Sequence, residues 1–190
     1  MESLSDNALM LKVKSGDLDK MGLLYQRYHQ QLYGFFFKMC GNGSISEDMV
    51  QNVFFRMLKY RYTYKGEGSF KTWIYHLSRN VFADQYRKNK RFNFSEDMAK
   101  YETNIEKEQN QEELLIEYQD RILLRRAIGQ LSEEKRELLI LSKYQGLKYD
   151  EIADILNCSA GALKVRLHRI IKELQTSFNK MEKEGNYGIG

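Results

Sequence analysis

Apolar side chains recur every three to four residues along most of this chain, which is the spacing of one buried face on an α-helix. The clearest series is Leu24, Tyr28, Leu32 and Phe36. The pattern predicts helices over residues 3–16, 17–39, 46–60 and 70–90, with Asp17 and Ser46 as N-caps of the second and third. Further helices are predicted over residues 114–131 and from the cap Ser132 to about residue 146. The sequence contains no proline, so helices can run without interruption, and we expect an all-α fold.

Residues 149–174 have the pattern of a helix, a tight turn and a second, basic helix. Asn157 tolerates the left-handed conformation that ends a helix, and Ser159 is a suitable N-cap for the next one. The start and the outward face of the second helix suit the major groove of DNA. These positions are Ser159, Ala160, Ala162, Lys164, Val165, Arg166, His168, Arg169 and Lys172. An ordinary solvated amphipathic helix that happens to be basic would show the same pattern.

A second candidate for nucleic-acid binding is the segment 59–69, in which tyrosines alternate with cations before a Gly-Glu-Gly run. Tyrosine rings can stack on unpaired bases while lysines and arginines follow the phosphate backbone. From residue 59 to residue 91 the chain carries nine Lys and Arg against two acidic residues, a density that favours a nucleic-acid surface. The alternative is that the tyrosines pack down on the domain.

The charge reverses after residue 91. Residues 92–118 contain eight Asp and Glu against two Lys and few apolar side chains, which is typical of a flexible linker. We therefore predict one helical domain over residues 1–91, an acidic linker over 92–112, a second helical domain over 113–177 and a frayed tail over 178–190.

Nothing in the composition indicates catalysis, a cofactor or a metal site. Cys40 and Cys158 are not arranged as metal ligands, and His29, His76 and His168 are isolated in the sequence. There is no secretory signal and no apolar run long enough to cross a membrane. The sequence thus predicts a soluble cytoplasmic protein that is not an enzyme.

Several motifs resemble the extracytoplasmic-function (ECF) sigma factors of bacterial RNA polymerase, over about residues 9–174. LSEEKRE (131–137), GLKYDEIA (146–153) and GALKVRLHR (161–169) resemble sigma region 4. LYQRY (24–28), EDMVQNVF (47–54) and FKTWI (70–74), followed by Arg79, Asn80, Asp84 and Arg87, resemble region 2. The resemblance implies a factor that binds core polymerase and directs transcription from specific promoters.

The resemblance also implies roles for particular residues. The basic helix 159–172 would read the −35 promoter element as duplex, and region 4 would contact the β flap. Region 2 would bind the β′ clamp helices of the polymerase through Asp48, Gln51, Asn52 and Phe55. It would capture melted −10 DNA through Arg61, Tyr62, Tyr64, Lys65, Lys71, Trp73, Asn80 and Arg87. Promoter DNA and core polymerase are the implied partners, and an anti-sigma factor is a further one that the family allows.

This sequence departs from the family at a few positions. Ser132 and Ser159 stand where the family often has proline, and Lys148 stands where a serine usually caps the first helix of the motif. Ala162 and Val165 replace polar residues, so they can meet thymine methyl groups but cannot donate hydrogen bonds. The main alternative function is a stand-alone helix-turn-helix regulator that binds an operator without polymerase.

Overall fold

The computed structural model describes residues 4–89 and 111–186, and these residues form only helices, turns and loops. The N-terminal unit consists of α1 (Asp6–Lys14), α2 (Lys20–Cys40), α3 (Gly43–Lys59), a short 3-10 helix (Arg61–Thr63) and α4 (Phe70–Asn89). The C-terminal unit consists of α5 (Gln111–Gln130), α6 (Glu133–Tyr144), α7 (Tyr149–Ile155) and α8 (Ala160–Asn186). The predicted all-α fold is confirmed. Most of the predicted linker, at residues 92–110, lies outside the described residues.

The N-terminal unit is built around α2, which packs against both α1 and α3. Its fully buried side chains include Leu24, Leu32, Phe35 and Phe36, at the helical spacing that the sequence shows. Burying a side chain of this size stabilises the fold by about 1.5–3 kcal/mol. The Tyr28 hydroxyl donates to Asp6 Oδ2 at 2.5 Å and so ties α1 to α2.

Two helix starts differ from the prediction. α2 begins at Lys20 rather than at residue 17. Ser46 is not the N-cap of α3, because Asn42 fills that role by accepting from the Ile45 amide at 3.0 Å. Gly41 ends α2 in a left-handed conformation (φ 70°), so the chain already turns at the residue before Asn42. As a result α3 starts at Gly43, earlier than predicted. Ser46 is instead buried within α3, where its hydroxyl donates to the Asn42 carbonyl at 2.6 Å.

The C-terminal unit contains the predicted helix-turn-helix, formed by α7 and α8. Asn157 has φ 51°, as expected for the residue that reverses the chain. The Ser159 hydroxyl accepts from the Ala162 amide at 3.2 Å, which confirms it as a cap of α8. Leu163, Leu167 and Ile170 are buried on one side of α8, so the opposite side is left facing outward.

The α8 helix is longer than predicted and continues to Asn186. The expectation of a frayed tail from residue 178 is therefore wrong for residues 178–186. This stretch is rich in the strong helix formers Lys, Glu and Met and has no proline. Lys180 and Glu184 also form an i,i+4 pair at 3.9 Å, which favours the helical conformation.

The two units pack against each other, with α6 lying on α2 and α7 lying on α4. Buried apolar residues of both units form one continuous cluster. Residues 59–69, the tyrosine-rich segment, pack on their own unit, where the Tyr64 ring contacts Phe70 and Trp73. The structure thus describes two helical units in a closed arrangement.

Candidate nucleic-acid interface

The outward face of α8 is exposed and rich in cations. Val165 is 53% exposed, and the other exposed members of the predicted set are Ser159, Ala162, Lys164, Arg166, His168, Arg169 and Lys172, whereas Ala160 is half-buried. Two acidic side chains lie near this face. Glu134 Oε2 lies 3.8 Å from a terminal nitrogen of Arg166, and Glu173 Oε2 lies 2.7 Å from the Lys135 ammonium. The face therefore combines exposed cations with small apolar side chains, which suits phosphates and thymine methyl groups respectively.

A residue beside this face was not predicted. Tyr149, at the start of α7, is 42% exposed, and the Lys164 ammonium lies 5.8 Å from the centroid of its ring. The contact places an aromatic side chain of the first motif helix next to a cation of the second. Its position within the GLKYDEIA motif is the signal that could have indicated it.

The tyrosine-rich segment presents two exposed rings, each beside a cation. Tyr60 is 41% exposed and Tyr62 is 64% exposed. The Lys59 ammonium lies 5.4 Å from the centroid of the Tyr60 ring, and the Arg61 guanidinium carbon lies 4.1 Å from that of Tyr62. Lys65 is exposed as well. Exposed rings paired with cations can stack on unpaired bases and attract the backbone at the same place.

Tyr64 does not belong to that exposed set. Only 1% of the residue is exposed, so its ring cannot stack on a base in this conformation. Its hydroxyl donates to Asn7 Oδ1 at 2.9 Å, and burial raises the pKa of the Tyr64 phenol. The reason is local sequence: Phe70 and Trp73 pack their rings against Tyr64 and enclose it. Of the two interpretations of the segment, base stacking or packing on the domain, the structure shows packing for Tyr64.

Asn7 of α1, which the sequence did not single out, anchors the middle and the C-terminal end of the segment. Besides accepting from Tyr64, its Oδ1 accepts from the Phe70 amide at 2.7 Å, and its Nδ2 donates to the Gly68 carbonyl at 2.8 Å. Lys14 adds a bond of 2.6 Å from its ammonium to the Tyr64 carbonyl. Side chains of α1 thus fix the segment on the first unit.

The remaining predicted contacts of region 2 lie on α4. Asn80 and Arg87 are exposed, whereas Trp73 and Lys71 are half-buried. Arg87 donates to Asp84 Oδ1 at 2.7 Å, and Arg56 donates to the other oxygen at the same distance. The hydrogen bond from Arg56 lowers the pKa of Asp84, so this carboxylate stays charged and partly neutralises Arg87.

The outward face of α3 is polar except for one aromatic side chain. Asp48, Gln51 and Asn52 are exposed, and Phe55 is 64% exposed. Asn52 Oδ1 accepts from Arg56 Nε at 3.0 Å. An exposed aromatic side chain among polar ones is the composition of a protein-docking surface.

Neither a metal centre nor a membrane span occurs in the part of the chain that the structure describes. Within residues 4–89 and 111–186, no three His, Cys, Asp or Glu side chains are grouped closely enough to hold a metal ion. In the same residues, none of the helices is both long enough and apolar enough to traverse a bilayer.

Two family profiles match the chain, one in each unit. Sigma-70 region 2 matches residues 24–92, and Sigma-70, region 4 matches residues 121–174. The two matches together span more than half of the sequence.

Curated relatives are similar over most of their length. The RNA polymerase sigma factor YlaC of Bacillus subtilis is 28% identical over 170 residues, which cover 87% of this chain and 96% of YlaC. The ECF RNA polymerase sigma factor SigX of the same species is 29% identical over 85% of each chain. The ECF RNA polymerase sigma-E factor of Escherichia coli is 27% identical over 88% of this chain and 91% of its own.

Two solved structures share the fold. CnrH, in complex with the cytosolic domain of CnrY, superposes with a TM-score of 0.69 and 19% identity over 92% of this chain and 97% of its own. RpoE of Bartonella quintana, in complex with the anti-sigma factor NepR, superposes with a TM-score of 0.61 and 23% identity over 83% of this chain and 96% of its own.

Proposed function

Because the chain belongs to the ECF sigma factors of RNA polymerase, we propose a division of labour between its two units in promoter recognition. The C-terminal unit reads the −35 element as duplex, and the N-terminal unit binds core polymerase and traps melted −10 DNA. The observation that supports this proposal is that each unit exposes its own cations together with small apolar or aromatic side chains, on α8 in one and on the tyrosine-rich segment and α4 in the other.

At the −35 element, α8 enters the major groove with its capped N-terminal end facing the bases. Ala162 and Val165 contact thymine methyl groups, while the cations hold phosphates on either side. The residues assigned to this contact are Ser159, Ala160, Ala162, Lys164, Val165, Arg166, His168, Arg169 and Lys172.

At the −10 element, Tyr62 is the principal stacking surface for an unpaired base. Stacking of roughly 1–3 kcal/mol per base offsets the cost of unstacking the duplex, a few kcal/mol per step. Arg61, Lys65, Lys71, Trp73, Asn80 and Arg87 complete the contact. The role of Tyr64 is to support the segment from within the core, and not to touch DNA.

The face of α3 binds the β′ clamp helices of core polymerase through Asp48, Gln51, Asn52 and Phe55. Region 4 binds the β flap. Polymerase supplies the catalysis, so this chain needs no active site and acts as a positioning factor in the cytoplasm. RpoE of Bartonella quintana binds an anti-sigma factor, and we propose a partner of that class for this chain also.

Binding assays with and without core polymerase test the proposal. The chain and core polymerase should form a complex that retains a duplex carrying the cognate promoter, whereas the chain alone should retain that duplex weakly. Tight binding of the duplex by the chain alone, as a dimer, would instead favour a stand-alone helix-turn-helix regulator.

A further inference from the structure

Two side chains of α1, Asn7 and Lys14, hold the second half of the tyrosine-rich segment. Asn7 Oδ1 accepts from the Tyr64 hydroxyl at 2.9 Å and from the Phe70 amide at 2.7 Å. Asn7 Nδ2 donates to the Gly68 carbonyl at 2.8 Å, and the Lys14 ammonium donates to the Tyr64 carbonyl at 2.6 Å. Tyr64 is therefore bound by α1 through both its side chain and its main chain.

Tyr64 in turn supports the part of the segment that carries the exposed ring of Tyr62. The Tyr64 amide donates to the Arg61 carbonyl at 3.2 Å, which closes the short 3-10 helix over Arg61–Thr63. Tyr62 is the middle residue of that helix and is 64% exposed. The bonds that α1 makes to Tyr64 thus restrain the turn that presents Tyr62.

Residues 65–69, which follow Tyr64, contain two glycines in a left-handed conformation. Their φ angles are 78° at Gly66 and 76° at Gly68. Glycine loses more conformational freedom on ordering than any other residue, so bonds from outside the stretch are needed to keep it in one conformation. α1 supplies such a bond at Gly68 and packs closely at Gly66, where Leu11 Cδ2 lies 3.3 Å from the position of a Cβ.

α1 is itself firmly attached to the rest of the unit. Asp6 Oδ1 accepts from Arg27 of α2 at 2.5 Å, and Asp6 Oδ2 accepts from the Tyr28 hydroxyl at 2.5 Å. Leu9 and Met10 of α1 are fully buried. Asn7 and Lys14 therefore hold the segment from a fixed base.

We propose that Asn7 and Lys14 are positioning residues for the capture of melted −10 DNA, and that they act through Tyr64. The proposal rests on the proposed function, because it assumes that Tyr62 and Lys65 bind the unpaired strand. A segment that already has its binding conformation loses less conformational entropy when the strand binds. Without the bonds from α1, binding has to order the segment first, and the affinity falls.

The charge of Lys14 has to be separated from its position, because any lysine near DNA attracts phosphates. Lys12 lies two residues earlier on the same helix and is exposed. Lys12→Met and Lys14→Met remove the same charge and leave a side chain of similar length. Attraction by charge alone predicts equal effects of the two changes, whereas positioning predicts an effect of Lys14→Met.

The affinity for single-stranded DNA is the first measurement. Fluorescence anisotropy is recorded with the complex of the full chain and core polymerase. The probe is a labelled non-template-strand oligonucleotide from a promoter that transcript mapping identifies. Asn7→Ala should lower the affinity about tenfold and Lys14→Met about threefold. Lys12→Met should leave the affinity near the wild-type value.

Trp73 provides a second measurement that a change in overall stability would not move. It is the single tryptophan of the chain, and the centroid of its ring lies 5.1 Å from that of Tyr64. Quenching of its fluorescence by acrylamide in the free chain therefore reports whether Tyr64 stays in place. Asn7→Ala should raise the quenching constant, and Lys12→Met should not. Alanine is a better helix former than asparagine, so circular dichroism of Asn7→Ala should show α1 intact.

Affinities of Asn7→Ala and Lys14→Met that equal the affinity of Lys12→Met would overturn the proposal while the proposed function stands. Stronger quenching of Trp73 without a loss of affinity would also overturn it, because the bonds from α1 would then serve the fold alone. A wild-type complex that did not bind the oligonucleotide would overturn the proposed function and this proposal with it.

Discussion

The guanidinium of Arg61 lies over the ring of Tyr62, 4.1 Å from its centroid, and donates to the Tyr62 hydroxyl at 2.5 Å. It also donates to the Leu58 carbonyl at 2.8 Å, which ties it to the end of α3. The Tyr62 ring is thus supported from one side while most of it stays exposed. A ring held in this way loses little conformational entropy when a base stacks on it, because its orientation is already restricted.

We predict that Tyr62→Ala lowers the affinity of the polymerase-bound factor for single-stranded −10 DNA by about 5- to 150-fold, the value of one base stack. Tyr62→Phe should retain most of the affinity because the ring remains. Fluorescence anisotropy with a labelled non-template strand measures both. Tyr60→Ala, which removes the neighbouring exposed ring, is the matched control; an equal loss in that variant would argue against a specific role for Tyr62.

For Tyr64 we predict an effect on stability. Tyr64→Ala should lower the free energy of unfolding by about 3–5 kcal/mol because it removes a buried aromatic ring. Tyr64→Phe should cost about 1 kcal/mol, since Asn7 Oδ1 would keep its bond from the Phe70 amide. Thermal denaturation followed by circular dichroism measures these changes. A Tyr64→Ala variant with wild-type stability and weakened −10 binding would contradict the buried position.

Phe55 should dominate the contact with core polymerase. Phe55→Ala is expected to weaken binding to core polymerase about 30-fold, as is typical of an aromatic side chain at the centre of an interface. Asp48→Ala should weaken it in the same direction. Surface plasmon resonance with immobilised core enzyme gives the affinities. Ser44→Ala, an exposed position on the same helix, should have no effect, and a loss there equal to that of Phe55→Ala would refute the assigned face.

Arg169 should act at the −35 element alone. Arg169→Ala is expected to reduce affinity for a duplex with the cognate −35 site by about 5- to 150-fold in the polymerase complex, without changing the affinity for core polymerase. Lys183→Ala removes a cation from the distal part of the same helix and serves as the control. Equal losses in the two variants would indicate general electrostatic attraction and not a placed contact.

The helices and the helix-turn-helix were predictable because their signals are local. Apolar periodicity marked the buried faces of α2 and α8, and Asn157 and Ser159 identified the turn between α7 and α8. Serine is a good cap in general, so the sequence favours Ser46, but Gly41 and Asn42 provide an earlier cap that the structure uses. The glycine-rich C-terminus indicates fraying from residue 178, but the strong helix formers that precede it carry α8 on to Asn186.

The features that could not be predicted depend on how side chains pack in the folded units. Tyr60, Tyr62 and Tyr64 alternate regularly in sequence, and only the packing of Phe70 and Trp73 distinguishes the buried ring from the exposed ones. Likewise, the sequence presents Arg79 as one more cation of a basic helix. Its partner Glu137 lies 58 residues away, and no periodicity relates the two.

In vitro transcription on genomic DNA, with the 5′ ends of the transcripts mapped, tests the central claim most directly. Core polymerase together with this chain should start transcription at a discrete set of sites that core polymerase alone does not use. The regions upstream of those sites should share a −35 and a −10 sequence at constant spacing. Transcripts with the same start sites in the presence and absence of this chain would contradict the account.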